Sequence, residues 1–438
     1  MATRLIPFVA AMTAILTCVA SQPTYAQDPA AYDTTTALRL EDLLREALRN
    51  NPVLRADLLS AEALRTRRRQ VTALPDPFAS ISYQPFPVFT ARGFQRSQWR
   101  IEQDVPFPGK RGLRGEIADY AAAAAGYGAD AFARDLVLEV SQAYYELYRT
   151  QEQQRLIEAF REQLSDFVAS ATARYEVGEG TQQDILKAQL ERNTLDRLGL
   201  DLAQRKRSAA ETLAHLLNRP DAAALLDKTV HVERPEALLP EAEAKSQALA
   251  QRPEVHVLET AAKQAQSQIA LARKAFLPDF TFGLTYFDIG ASDLTPTMTG
   301  RDALAVQVMV KIPLWQGKLR SNLEEARLRQ RETEARLQDL QTEIRAQTSD
   351  LVSQLDIEQR TLILYEETLI PQAETTLEAS LSAYTTGETD FLNLLDAERM
   401  LFNLRMGYQD SLARYLKMTA ALERTIGTAP PDPQNGEE

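Results

Sequence analysis

One segment of this chain occurs twice, without a gap. Residues 172–198 return as residues 381–406, and Gly178 in the first copy corresponds to Gly387 in the second. Glycine adopts without strain the left-handed conformation that ends many helices, and polar residues suited to start a helix follow in both copies. Each copy therefore predicts a tight turn, or tip, between two long helices. The pattern indicates a duplicated helical hairpin.

The helices that lead into these tips are predicted to be very long. Residues 111–177 contain no proline, and their apolar side chains recur every three or four residues. Residues 317–370 are also free of proline and have coiled-coil spacing. A helix over 111–177 would be about 100 Å long, which is typical of coiled coils and extended bundles and not of compact domains.

Four shorter segments alternate between apolar and polar residues. In one of them, Trp99 and Ile101 point one way and Arg100 and Glu102 the other. A period of two with one apolar face predicts β-strands. The predicted strands are 77–89, 97–107, 279–288 and 303–313, with loops over 87–96 and 288–300.

The order of helix, two strands, long helix, tip and helix occurs twice. We predict a first repeat over 27–220, a second over 221–427 and a disordered tail over 428–438. Proline at 52 and 371 indicates a break or kink within two of the helices, and residues 219–240 form a connector. The predicted helices are 40–72, 111–177 and 182–217 in the first repeat, and 240–275, 317–386 and 389–426 in the second.

Residues 1–26 have the features of a secretory signal peptide. A basic residue precedes the apolar run Phe8–Ala20, and a small residue, Ala26, ends the segment. The one cysteine, Cys18, lies inside it. Lipidation of Cys18 is the alternative, but Thr17 is larger than the small residue usually found before a lipidated cysteine. The mature chain is therefore expected to lack cysteine and to work outside the cytoplasm.

Composition excludes several classes of function. The net charge of −12 argues against nucleic acid as a partner, because no basic face would release counterions from phosphate. Three histidines that do not cluster in sequence argue against a metal site, and no cofactor or catalytic motif occurs. The many carboxylates on helices are expected to be solvated or paired with Lys and Arg. We therefore expect passage rather than reaction.

No segment after residue 26 has the ~18 consecutive apolar residues of a membrane-spanning helix, so a membrane crossing would require a closed β-barrel. Four strands are too few, since the smallest closed barrels have about eight. Several chains would have to share one sheet. A soluble four-stranded sheet packed on helices is the alternative. Polar strand faces and aromatic residues near the strand ends favour the barrel.

Several motifs resemble those of the TolC family of outer-membrane efflux proteins. They are PFPGKR at 106–111, IPLWQGKLR at 312–320, RYEVGEGTQQDILKAQLE at 174–191 and LNRP at 217–220. The resemblance covers nearly all of 38–427, and PFPGKR is most similar to the branch associated with heavy-metal efflux.

This resemblance implies a mainly α fold with a transmembrane β-barrel. Three chains would close one twelve-stranded barrel in outer-membrane lipid and one α-barrel of coiled-coil hairpins in the periplasm. The tips would meet a periplasmic adaptor and an inner-membrane pump, expected to be a proton-driven RND transporter. The implied function is an exit duct for small molecules or metal ions, in a Gram-negative bacterium.

The resemblance also implies a gate. In this family, acidic residues after the second tip narrow the periplasmic end, and by position Asp396 matches the inner one. Asn393 stands where the outer aspartate would be, which departs from the family pattern, and Asp390 precedes both. Three copies of Asp396 near one axis would repel one another and attract cations. The alternative is a solvated residue that pairs with Arg399 or Arg405.

Two further sets of residues follow from the resemblance. Asp184 occupies the place of a polar residue that helps to lock the tips, with an ordinary acid early in a helix as the alternative. The expected adaptor contacts are the tip residues Tyr175, Gly178, Glu179, Tyr384, Gly387 and Glu388. Their glycines would be needed for the turns even without a partner.

Two other functions remain open at this point. The same family architecture serves as the outer-membrane duct of type I protein secretion, and a soluble periplasmic coiled-coil scaffold would share the helical pattern. The substrate is also open. PFPGKR favours metal ions by resemblance, yet the sequence shows no ladder of Met or His ligands along the duct.

Overall fold

A computed structural model describes residues 38–90, 92–178, 180–235, 239–291 and 300–432. The expected signal peptide and the last six residues of the expected tail lie outside these ranges, so those two predictions stay predictions. Among the described residues, no helix has both the length and the apolar character needed to cross a membrane.

Helices form most of the described chain. The first repeat contains α1 (Leu40–Asn50), α2 (Pro52–Thr72), α3 (Lys110–Glu176), α4 (Gln182–Leu216) and the short α5 (Ala223–Leu226). The second contains α6 (Glu241–Gln251), α7 (Pro253–Lys274), α8 (Gln316–Leu364), α9 (Ile370–Thr386) and α10 (Phe391–Ile426).

Two predicted helices are each divided in two. The helix predicted over 40–72 breaks at Asn51, which is extended and caps α2 by accepting hydrogen bonds from the backbone N–H groups of Val53 and Leu54, at 2.9 and 3.1 Å. The helix predicted over 240–275 breaks at Arg252, which is also extended but makes no side-chain cap. In both cases the next residue is a proline, which lacks the N–H of a continuing helix and fits the first helical position.

The predicted helix 317–386 instead continues through its proline. Residues Tyr365–Leu369 form one turn of π-helix between α8 and α9, and Pro371 is the second residue of α9. The wider turn lets the chain pass the missing N–H without ending the helix.

The strands form one antiparallel sheet in the order β1 (Phe78–Thr90), β2 (Gly93–Val105), β3 (Asp279–Gly290) and β4 (Ala303–Lys311). The predicted loop over 87–96 is wrong, because strand pairing continues almost to the turn, with Thr90 opposite Gly93. Register is irregular between Tyr83 and Val88, where two prolines interrupt the alternation. Proline cannot donate to the ladder and is tolerated at such bulges on an edge strand.

The sheet has one exposed apolar face. Side chains that alternate along the strands and face solvent include Ile81, Trp99, Ile101, Leu284, Val306 and Val308. The intervening polar residues, such as Arg100 and Glu102, are half-buried and form an ion pair at 3.3 Å. β1 and β4 are the outer strands, so each has one edge without a partner strand in the described part of the chain.

A buried lysine joins the two repeats where the strands meet the long helices. Lys110, the first residue of α3, places its Nζ 2.7 Å from Asp279 Oδ1 and 2.9 Å from the carbonyl oxygen of Leu277. The backbone N–H of Phe107 donates to the same carboxylate oxygen at 2.7 Å. Strand β3 of the second repeat is thereby fixed to helix α3 of the first.

The helix order around this joint follows the strand order. Helix α2 packs on α3, α3 on α7, and α7 on α8. A second core lies further along α3, where Leu136, Val140, Tyr144 and Leu147 pack against Leu213 and its neighbours in α4.

The break before α2 yields a stability prediction. Asn51 is buried, caps α2 and also donates from Nδ2 to the carbonyl oxygen of Leu216 at 3.3 Å. We expect Asn51→Ala to lower the free energy of unfolding by about 1–2 kcal/mol, because the cap is lost. Asn51→Ser keeps a capping oxygen without adding a buried charge, and it should cost less. Denaturant unfolding in detergent measures both, and an alanine variant as stable as the wild type would contradict the prediction.

The helix tips and the candidate gate

The two tips have the same backbone hydrogen bonds. Gly178 and Gly387 adopt φ angles of 82° and 77°, and each donates its N–H to the carbonyl of the tyrosine three residues earlier, at 3.0 and 3.2 Å. Gly180 and Thr389, at equivalent positions, donate to carbonyls six residues earlier, at 3.1 and 3.3 Å. The duplication seen in sequence is therefore a duplication of one turn geometry.

Acidic residues cap the helices that leave the tips. Asp184 accepts from the N–H of Thr181 at 3.1 Å, while the Thr181 hydroxyl accepts from the N–H of Asp184 at 3.4 Å. In the second tip Asp390 accepts from the N–H of Asn393 at 3.1 Å. Both carboxylates satisfy N–H groups at a helix start, where negative charge is favoured. For Asp184 this is the alternative role given above.

The tyrosines of the two tips differ in environment. Tyr175 is 48% exposed, whereas Tyr384 is 9% exposed and packs edge-on against Phe391 at 5.9 Å. The guanidinium of Arg174 lies 4.7 Å from the Tyr384 ring and donates to the Tyr384 carbonyl at 3.1 Å. Arg174 therefore holds the first tip against the second.

The expected adaptor contacts are thus not equivalent. Tyr175, Gly178, Gly387 and Glu388 are exposed, Tyr384 is part of the packing between tips, and Glu179 lies outside the described residues.

The gate candidates lie on an exposed face of α10. Asn393, Asp396 and Met400 are exposed at helical spacing, and the Asp396 side chain is 72% exposed. Asn393 donates from Nδ2 to the hydroxyl of Thr389 at 2.8 Å. Asp396 Oδ1 lies 3.5 Å from Nη1 of Arg399.

Arg399 has a stronger partner than Asp396. Its Nη2 and Nε donate to the two carboxylate oxygens of Glu191 on α4, at 2.6 and 3.2 Å. Such a two-point contact fixes orientation as well as distance. Arg399 therefore connects α10 to α4, and its contact with Asp396 is secondary. Arg405, the other partner considered for Asp396, pairs with Glu374 on α9 at 2.8 Å.

Glu191 and Glu398 were not predicted from the sequence. Each occurs in a run of charged helix residues and has no local feature that sets it apart. Glu398 is 3% exposed, and its Oε2 has no hydrogen-bond partner among the described residues. Burial raises the pKa of Glu398 above its ordinary value, and the nearby charge of Arg405 opposes that shift only in part.

No group of three His, Cys, Asp or Glu side chains converges on one point within the described ranges. His256 lies against the ring of Tyr127, with ring centroids 5.3 Å apart.

The architecture is shared with bacterial outer-membrane proteins of known structure. The outer membrane protein VceC of Vibrio cholerae matches with a TM-score of 0.72 and 20% identity, over 89% of this chain and 96% of that one. The open-state outer-membrane channel MtrE of Neisseria gonorrhoeae matches with a TM-score of 0.71 and 21% identity, over 89% of both chains. The fold is therefore the one that these two proteins share, mainly α with four antiparallel strands, as predicted.

The sequence comparisons agree. Residues 244–428 match the family model described as outer membrane efflux protein. The cobalt-zinc-cadmium resistance protein CzcC of Cupriavidus metallidurans is 22% identical over 401 residues, which are 89% of this chain and 90% of CzcC. These matches confirm the resemblance to outer-membrane efflux proteins. They support an exit duct in the outer membrane with a helical periplasmic part, and not an enzyme.

The buried acid on α10 predicts a pH dependence. Because its pKa is raised in the folded chain, Glu398 favours folding below its unfolded pKa, and this contribution is lost as the pH rises through the folded pKa. Glu398→Gln should therefore raise the midpoint of thermal unfolding at pH 7.5, by about 2–4 °C if the effect is about 1 kcal/mol. The difference should vanish near pH 4. Exposed Glu388→Gln is the control, and a gain that is equal at both pH values would contradict the prediction.

Proposed function

We propose that three copies of this chain close into one tube, which is the outer-membrane duct of a tripartite efflux system. The four-stranded sheets would join into one barrel of twelve strands, and the hairpins into one periplasmic α-barrel. The observation that carries this proposal is the sheet itself. Its apolar face is exposed, its polar face is half-buried, and both outer strands have a free edge. A lipid-facing exterior and a wet interior need those features.

The partners in this proposal are a periplasmic adaptor and an inner-membrane pump of the proton-driven RND type. The exposed tip residues Tyr175, Gly178, Gly387 and Glu388 form the adaptor surface. Tyr384 is buried behind that surface, because Arg174 and Phe391 pack against its ring.

The proposed cargo is divalent metal ions. CzcC is named for cobalt, zinc and cadmium resistance, and it aligns with this chain over nearly its full length. PFPGKR at 106–111, which resembles the heavy-metal branch, supports the same choice. The proposed duct would be wide enough for such ions, and its negative charge would attract them. Tight coordination by the protein is therefore not needed.

The proposed gate is a ring of Asp396 at the inner mouth. Its carboxylate is exposed, and the charge of Arg399 is directed to Glu191. Arg399 therefore offsets little of the negative charge of Asp396. Three copies near the axis would attract multivalent cations and hold the opening narrow through bound counter-ions. Asn393 would form a neutral ring one helical turn nearer the tip.

Planar-bilayer conductance tests the duct and its gate together. Native mass spectrometry of the purified protein should give the mass of a trimer, and the protein should form ion-conducting pores. Asp396→Ala should raise the pore conductance and raise the concentration of a trivalent cation that gives half-block, on the order of tenfold. Asn393→Asp adds a second acidic ring and should shift half-block the other way.

Asp356→Ala is the matched control. Asp356 is also an exposed aspartate paired with an arginine on its own helix, Arg360 at 3.0 Å, but it lies on α8. It should leave conductance and block unchanged. Unchanged block in Asp396→Ala would remove the gate assignment, and a non-conducting monomer would remove the proposed function.

A further inference from the structure

We propose that a cleft at the junction of the sheet and the helices binds an acidic phospholipid. Arg114, Lys311 and Lys318 would hold its phosphate headgroup, and Trp315 with its apolar neighbours would contact the acyl chains where they leave the headgroup. The inference rests on the proposed placement of the sheet in the outer membrane. It goes further by naming the class of lipid that this junction selects.

Positive charge is concentrated where the helices meet the sheet. The ends of α2 and α7 and the starts of α3 and α8 lie there, because each is only a few residues from a strand. Residues 63–74, 106–115, 261–277 and 311–323 contain thirteen Lys and Arg and no Asp or Glu, whereas the whole chain has 49 Lys and Arg against 61 Asp and Glu. An acidic chain therefore has a basic belt, formed by these four segments, beside its exposed apolar sheet.

The position of the basic belt fits a membrane surface. A lipid layer that contains acidic headgroups has a negative surface potential, which attracts Lys and Arg within a short distance of it. Their long side chains can also reach the headgroups while the methylene groups contact apolar surface. Cations next to an apolar face that enters hydrocarbon therefore lie at the level of the headgroups.

One cleft in the basic belt has room for a headgroup. It has a volume of about 660 Å³ and lies between the end of α7 and the start of α8, beside the last residue of β4. Two cations that line it are already neutralised, since Lys110 binds Asp279 at 2.7 Å and Arg329 binds Glu325 at 2.6 Å. These pairs leave no acid of the cleft to repel an anion at full strength.

Three further cations of the cleft are available to a ligand. Arg114 of α3, Lys311 of β4 and Lys318 of α8 line the cleft and are exposed. None of the three forms an ion pair within the residues that the structure describes. A phosphodiester has one negative charge and several acceptor oxygens, so it can accept hydrogen bonds from more than one of these side chains.

The apolar wall of the cleft favours a lipid over a free anion. Ile312 continues the alternation of Val308 and Val310 on the apolar face of the sheet, and Leu314 and Trp315 follow it into the lining of the cleft. Trp315 is 81% exposed, and indole rings favour the boundary between hydrocarbon and headgroups. The cleft therefore combines cations for a headgroup with an apolar surface that continues onto the sheet.

Tryptophan fluorescence tests the proposal in the purified full-length protein. The chain has two tryptophans, so Trp99→Phe leaves Trp315 as the single reporter. Phosphatidylglycerol with brominated acyl chains, added to the detergent micelles, should quench Trp315 at a several-fold lower mole fraction than brominated phosphatidylcholine, because only the first lipid is acidic. Equal quenching by the two lipids would overturn the proposal. Quenching by neither would also overturn it, since the cleft would then be covered, for example by the next copy of the chain.

Removal of the three cations tests the assigned residues. In the Trp99→Phe background, Arg114→Gln, Lys311→Gln and Lys318→Gln together should raise the mole fraction of phosphatidylglycerol that gives half-quenching, on the order of tenfold. The value for phosphatidylcholine should stay the same. A preference for phosphatidylglycerol that survives this triple change would show that the assigned residues are wrong.

The matched control removes three cations elsewhere. Arg205→Gln, Lys206→Gln and Arg207→Gln change a basic run of α4 that lies just before the second core, away from the sheet. This variant should keep the full preference for phosphatidylglycerol. A loss equal to that of the cleft variant would mean that overall charge, and not the cleft, determines the preference.

Inorganic phosphate distinguishes a lipid from a free anion. Excess phosphate should leave the quenching by phosphatidylglycerol close to its value in sodium chloride of the same ionic strength. Abolished quenching would mean that the cleft binds phosphate without need of acyl chains, and the lipid proposal would be wrong.

Native mass spectrometry and bilayer conductance of the same samples separate this inference from the proposed function. A conducting trimer without a preference for phosphatidylglycerol overturns the lipid site and leaves the duct in place. Protein that forms neither trimers nor pores overturns the proposed function, and the lipid site with it.

Discussion

The edges of the four-stranded sheet constrain everything else in this protein. β1 and β4 each leave a row of backbone N–H and C=O groups without a partner strand among the residues that the structure describes. Water can satisfy such groups at a surface, but hydrocarbon cannot, and the adjoining face of the sheet is apolar and exposed. A chain with this sheet is incomplete by itself in a membrane. Closure with further copies is the arrangement that satisfies both the edges and the face.

The internal duplication makes closure geometrically simple. A single pair of repeats already contains one complete boundary, with β2 on β3, α3 on α7, and Lys110 between the repeats. In the proposed ring, a boundary between copies would join an end strand to an end strand in the same way that this boundary joins β2 to β3. The side chains at the free edges have diverged within this scheme, with Val71 in place of Lys274 and Trp315 in place of Pro108.

Local patterns in the sequence predicted most of the fold. The absence of proline predicted the long helices, alternation predicted four strands, and the repeated glycines predicted the tips. The errors arose where two local signals competed. Residues 87–96, which contain Pro87 and Gly93, were predicted as a loop, but an edge strand tolerates proline beside a bulge, and the pairing continues to Thr90 opposite Gly93. The breaks at Asn51 and Arg252 follow from the proline after each, but a kinked continuous helix was equally consistent with the pattern. The interactions at the tips depend on residues far apart in sequence, such as Arg174 with Tyr384 and Arg399 with Glu191. No local period contains that information.

The two tips share one backbone geometry but differ in their side chains. Their hydrogen bonds are the same, yet Phe391 in the second tip replaces Gln182 in the first, and it draws Tyr384 inward while Tyr175 stays exposed. Further along, Asn393 and Asp396 in α10 correspond to Asp184 and Lys187 in α4. The sign of the charge at the second of these positions is therefore reversed between the repeats. A duct built from identical repeats would present the same charge from both helices at its mouth. In the proposed duct, the second repeat, which carries the acid and in which Tyr384 is buried, would line the opening, and the first would support it and meet the partner.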